Sequence, residues 1–139
     1  MAPSDDAGAA VAGTVVAFVV HDGRILVLRR GDETGAGRWA GIGGAPGEAP
    51  LDQAYAALRR EAGLEAGDVA LLQQGEPLHV YDPETDRISR VHPFLFGIDD
   101  PSRLRLDRER VQRRWVWPGE IDQLDTEPGL ADALRRVFP

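Results

Sequence analysis

The stretch Thr14–Arg30, TVVAFVV-HDGR-ILVLRR, constrains the fold more than any other part of the chain. Its β-branched and aromatic residues favour extended backbone, and Asp22-Gly23 is a residue pair suited to the tight turn between two strands. A β-hairpin is therefore expected here, preceded by a flexible tail over residues 1–12 that is rich in Ala, Asp, Gly and Ser. The remaining residues, 13–139, have the length of a single domain. A chain of that size can bury roughly two thirds of the surface it exposes when unfolded.

After the hairpin the stretch Gly31–Gly47 is dense in glycine and holds Trp39, whose ring is expected to be exposed beside the loop. Such density implies positive φ angles or close approach of the backbone to something else. Pro50 then suits the first turn of a helix. Leu51, Ala54, Tyr55, Leu58 and Ala62 recur at spacings of three and four, which predicts one buried helical stripe, and Gly63 fits a C-terminal cap. Gln53, Ala57, Arg60 and Glu61 are expected on the opposite face. Strands are predicted over 69–74, 77–81, 88–98 and 113–117, with Pro93 suggesting an edge or a bulge in the third of these. Two helices starting near Pro118 and Pro128 are expected to end the chain, the second burying Leu130, Leu134 and Val137.

Composition narrows the function classes. The chain has 16 basic and 23 acidic residues, a formal net charge of -7, and its basic residues are all arginine. That balance argues against nonspecific binding to nucleic acid or to an anionic membrane, so a phosphorylated ligand has to be met by a local cluster of arginines. The cysteine count of 0 excludes disulfides, zinc-thiolate sites and cysteine nucleophiles. The first residues lack the basic-then-apolar layout of a secretory signal, and a cytoplasmic location is the expectation. His21, His79 and His92 show no metal-ligand spacing.

The segment GRWAGIGGAPGEAPLDQAYAALRREAGL resembles the signature of the Nudix hydrolase family, G-x5-E-x7-R-E-U-x-E-E-x-G-U with U aliphatic. Gly63 and Leu64 match its end, Glu61 its last glutamate, Leu58 the inner aliphatic position and Glu48 the early glutamate. Gly43-Gly44 resembles the opening Gly-Gly, although the loop to Glu48 is then two residues shorter than the pattern. The preceding hairpin and the later ERVQRRWVWPGEI also resemble family members. The resemblance implies an α/β fold, an α/β/α sandwich with a mixed β-sheet. It also implies pyrophosphatase chemistry on a nucleoside diphosphate linked to another group, with Mg2+ or Mn2+ as cofactor. A homodimer is left open.

Hard divalent cations take carboxylate oxygens, and glutamates three and four apart on one helix converge on one patch. Such cations neutralise phosphate oxygens and activate a water. Here the three converging positions are Ala57, Arg60 and Glu61, and the pattern's arginine is Ala56. Two unit charges 4 Å apart interact by about 4 kcal/mol at an effective dielectric of 20, so exchanging glutamate for arginine turns attraction into repulsion of similar size. On this reading Glu61 and Glu48 are the surviving metal ligands, with Glu61, Glu48 and Glu109 as the catalytic acids and Asp107 as a further carboxylate. Arg60, Arg29, Arg38 and Trp39 are the candidate substrate-binding residues, with Arg30 sharing the end of the hairpin. Two functions follow: an impaired hydrolase, or a protein that binds a nucleotide or phosphorylated small molecule without cleaving it.

Overall fold

The computed structural model describes residues 12–32, 35–44, 49–106 and 111–138, so the expected tail lies outside the described residues. The hairpin forms β1 (Ala12–His21) and β2 (Arg24–Asp32) around Asp22 and Gly23, both with positive φ. β1 pairs with β2 only at its end, at Val20↔Ile25 and His21↔Arg24. β2 then diverges to pair along its length with β8 (Val111–Val116), and at its far end with β3 (Gly35–Ala36). The opening between β1 and β2 is filled by β4 (Ile42–Gly44), antiparallel to Val15–Ala17. On its other side β1 runs parallel to β7 (Arg87–Ile98). β7 in turn carries β5 (Val69–Gln74) and β6 (Leu78–Asp82), both antiparallel. The sheet is mixed, as expected.

Both faces of its centre are covered, which explains the uninterrupted apolar run of β1. Val15, Ala17 and Val19 point into one core, and Val16 and Phe18 into the other. The first core lies under α1 (Pro50–Ala62) and includes Leu26, Leu28, Phe94, Phe96 and Ile98. The second lies under α2 (Leu130–Val137) and includes Ile25, Val27, Leu95 and Val116. The result is an α/β/α sandwich. Among the described residues no helix is long and apolar enough to cross a membrane.

Pro50 opens α1 where a missing N–H costs nothing, and Gly63 closes it at φ 66°. The Gly63 and Leu64 N–H groups bond the carbonyls of Arg59 and Leu58, which is the paired bonding of a left-handed cap. The stripe of α1 differs from expectation: Ala57 is 0% exposed and belongs to the core with Ala54, Leu58 and Ala62. Of the four residues expected on the opposite face, Gln53, Arg60 and Glu61 are left facing outward or half covered.

Pro93 corrects another expectation, because it is buried within central β7 and makes no bulge there. In a strand a residue's N and C=O point to the same side. The Pro93 carbonyl accepts from Gly75 N at 3.0 Å, so its missing donor faces the hand-over from β5 to β6. The register irregularity lies on β5, between Leu71 and Gln73. The expected helix at Pro118 is a 3-10 turn over Pro118–Gln123, while α2 buries Leu130, Leu134 and Val137 as expected.

Candidate active site

α1 crosses the edge of β4 closely because Gly44 has no side chain. A Cβ there would lie 2.8 Å from Arg60 Nη2 and 3.4 Å from the Ala57 Cβ. This packing brings the outward end of α1 onto the glycine strand. Arg60 Nη2 donates to the Gly43 carbonyl at 3.3 Å and lies 3.5 Å from Glu61 Oε2. Glu61 is the better covered of the two, with side-chain exposures of 20% for Glu61 and 59% for Arg60. Arg60 and Glu61 thus form an ion pair on the helix face where the resemblance implies a carboxylate cluster.

Around this pair lies a cavity of about 780 Å3 lined by Arg38, Arg60, Arg105, Glu61 and Glu127, with Gly41 and Gly43 along one wall. Among the described residues, three arginines against two glutamates make it locally positive in a chain of charge -7. Of the expected substrate residues, Arg60 and Arg38 are brought together here. Arg38 is tied down at the rim, its Nη2 on Glu84 Oε1 in the β6–β7 turn and its Nε 3.9 Å from Asp125 Oδ1.

A second, more apolar cavity of about 370 Å3 opens on the other side of the glycine strand. Its floor is the face of β1, β6 and β7 that carries Val16, Val80 and Val91, and its wall is the start of α2 from Pro128 to Leu130. Ala40, Gly41, Gly43 and Glu127 line both cavities, so the two compartments form one bent cleft over a wall of bare backbone. The wall is held from behind by the segment Asp125–Glu127. Trp39 N donates to the Asp125 carbonyl, and Glu127 N to the Trp39 carbonyl, each at 2.9 Å.

Other expected residues fall elsewhere. Trp39 is 8% exposed and part of the α2-side core, which corrects the expectation of an exposed stacking ring. The Arg29 guanidinium lies 4.6 Å from the centre of that ring and bonds Gln112 Oε1 through Nε at 2.9 Å, so Arg29 roofs the tryptophan and does not line the cavity. Glu48, Asp107 and Glu109 lie outside the described residues, as does the Arg30 side chain. Arg105 and Glu127 were not expected. Arg105 reaches the cavity because its N–H bonds the Ala62 carbonyl at the end of α1, a contact that local spacing does not encode. Glu127 is marked in the sequence only by its position ahead of α2.

Among the described residues, the groups with displaced titration lie outside both cavities. The hydrogen bond that Tyr81 donates to Asp86 at 2.8 Å raises its pKa, while the bonds Asp100 accepts from Ser102 lower its own. Burial lowers that of His92, and the nearby Arg90 adds to the effect.

The carboxylates also decide whether a divalent cation fits. Among the described residues no three of His, Asp or Glu come together to hold a metal ion. Glu61, the one carboxylate on this part of α1, has Arg60 beside it. The described donor set does not fit a tightly bound Mg2+ or Mn2+.

The fold is shared with known structures. The C. elegans Ap4A hydrolase in a binary complex superposes with a TM-score of 0.68 at 18% identity, covering 91% of this chain and 94% of that one. The E. coli ORF135 protein gives 0.70 at 24% identity, covering 93% and 90%. The NUDIX domain of Shewanella oneidensis NrtR complexed with ADP ribose gives 0.61 at 14% identity, covering 97% of each. No curated protein matches the chain. The family model for the NUDIX domain matches residues 11–137. With the hairpin, the capped helix and the glycine strand assembled in this way, the chain belongs to the NUDIX family.

Proposed function

We propose that the bent cleft holds a nucleoside diphosphate linked to a second group, and that the chain is a NUDIX-type hydrolase of weak turnover. The observation that carries the reading is the position of Arg60, 3.5 Å from Glu61 and at the mouth of a cavity that also holds Arg38 and Arg105. Guanidinium groups are planar forks suited to phosphate oxygens, and three of them hold a diphosphate without help from a cation. The apolar compartment beyond the glycine wall accommodates the nucleoside end. An Ap4A hydrolase and a domain complexed with ADP ribose are among the similar structures, and both names denote adenosine compounds with linked phosphates. Weak turnover follows from the shortage of carboxylates. Glu61 is the surviving acid on α1, with Glu48 and Glu109 as the other acids of the proposal.

A second reading, binding without cleavage, draws on the same Arg60, because a cation paired to Glu61 opposes a metal there. One titration series separates the two. Mn2+ and then ADP are added to the full chain in a calorimeter, with and without chelator, and release of AMP and ribose 5-phosphate from ADP ribose is followed over hours. ADP binding that survives chelator, with slow but measurable release, supports weak hydrolysis. Retained binding with no release selects the binder. Fast turnover that requires metal contradicts the arginine-based site, and binding of neither ADP nor any other nucleoside diphosphate under any condition removes the cleft as a nucleotide site.

A further inference from the structure

The two compartments of the cleft differ in what they can recognise. The larger is lined by arginines. Among the described residues the smaller has no basic lining group, and its charged groups are Asp82 and Glu127. Alternation along β6 puts Leu78, Val80 and Asp82 on one face, that of the α2-side core, with His79 and Tyr81 on the other. Val80 is paired with Ser89, and Asp82 lies one step further toward the open end of the same surface. Asp82 is held in place, since its Oδ1 accepts the Glu84 N–H at 2.9 Å. Each carboxylate oxygen has two acceptor sites, so that bond leaves both oxygens able to accept from a ligand. Thr14 adds a further acceptor: its Oγ1 donates to the Gly44 carbonyl at 3.2 Å and so keeps its lone pairs for the cavity.

A flat apolar floor with acceptors at its rim selects a ring that carries adjacent donors. Guanine offers N1–H and N2–H side by side, which a single carboxylate can accept together. Adenine and cytosine each set a donor beside an acceptor, and uracil flanks its one N–H with two carbonyls, so a carboxylate meets repulsion in all three. A site built to pair two donors discriminates against analogues that lack them, because its acceptors then meet no donor on the ligand. We infer that the smaller compartment is a guanine site read by Asp82, and that the preferred ligand is a guanosine diphosphate derivative. This rests on the proposal that the cleft binds nucleoside diphosphates. Glu127, which lines both compartments, sits where the sugar hydroxyls between base and phosphate would pass.

The test is calorimetry on the full chain with GDP, IDP, ADP, UDP and inorganic pyrophosphate, repeated with Asp82→Asn. Asparagine still accepts the Glu84 N–H, so the turn keeps its bond. The expected order is GDP tightest, by about tenfold or more over ADP and UDP, a gap set by one carboxylate pairing. IDP, which lacks the N2 amino group, should fall between. In Asp82→Asn the ratio of GDP to ADP affinity should drop to about one, a ratio that a uniform loss of folded protein does not change. Equal or tighter binding of ADP or UDP, or a ratio unmoved by the substitution, overturns the guanine assignment. Pyrophosphate binding with no gain from any nucleoside also overturns it, while leaving the arginine compartment standing. If neither pyrophosphate nor any nucleotide binds, the cleft reading itself fails and the guanine site with it.

Discussion

Ala57 and Arg60 stand three residues apart on α1 in opposite surroundings. Ala57 is 0% exposed with its Cβ against Gly44, whereas the Arg60 side chain is 59% exposed. Restoring acids at the two positions should therefore have unlike effects. Ala57→Glu puts an unpaired carboxylate in a packed core and is expected to cost about 3 to 5 kcal/mol in urea unfolding. Arg60→Glu leaves stability within about 0.5 kcal/mol. It replaces a repelling group with an attracting one beside Glu61, so Mn2+ affinity followed by paramagnetic titration should rise about tenfold. An unchanged affinity would mean that Glu61 is no metal ligand even when relieved of its arginine. One carboxylate of the family pattern is thus open to reintroduction, and the other is closed off by packing.

At the scale of elements, the C-cap of α1 offers a direct measurement. Gly63 sits at φ 66°, and a Cβ there would come within 2.7 Å of the Arg105 Cβ. Gly63→Ala should lose about 1 to 2 kcal/mol from the left-handed conformation alone. It should also displace Arg105 and weaken pyrophosphate binding. β7 carries a pH dependence through His92, whose pKa is lowered from 6.5 by burial, with Arg90 adding to it. Below about 6.5 the unfolded chain then binds more protons than the folded one, so stability falls as the pH is lowered through that range. The melting temperature should show a shallower acid-side decline in His92→Gln than in the parent. The elements themselves were largely legible: the Asp-Gly turn, the proline and glycine that bound α1, and the stripe of α2 follow from local rules. β4 was not, because three residues inside a glycine loop have no periodicity and become a strand only when β2 leaves β1. The burial of Ala57 is hidden from the sequence for a related reason. Helical spacing places it beside Arg60, and only the closeness of the glycine strand decides that its side is covered.

For the whole molecule, charge and connectivity meet at the cleft. A chain of net charge -7 gathers Arg38, Arg60 and Arg105 around one opening and restrains Arg38 with Glu84 from a turn 46 residues away in sequence. Glu84→Gln removes one of the two carboxylates competing for that guanidinium, and pyrophosphate binding should tighten about two- to fivefold, the worth of an exposed ion pair. Loss of affinity would show that Glu84 holds Arg38 in its binding position. The cleft was only partly readable beforehand because Arg105, Glu127 and Asp82 reach it through tertiary contacts, from three different segments. The backbone clasp between Trp39 and residues 125–127 has a temporal consequence. Translation delivers the glycine strand early and residues 125–127 late, so a ribosome-held intermediate has the sheet's central strands before the wall of the cleft can be clasped.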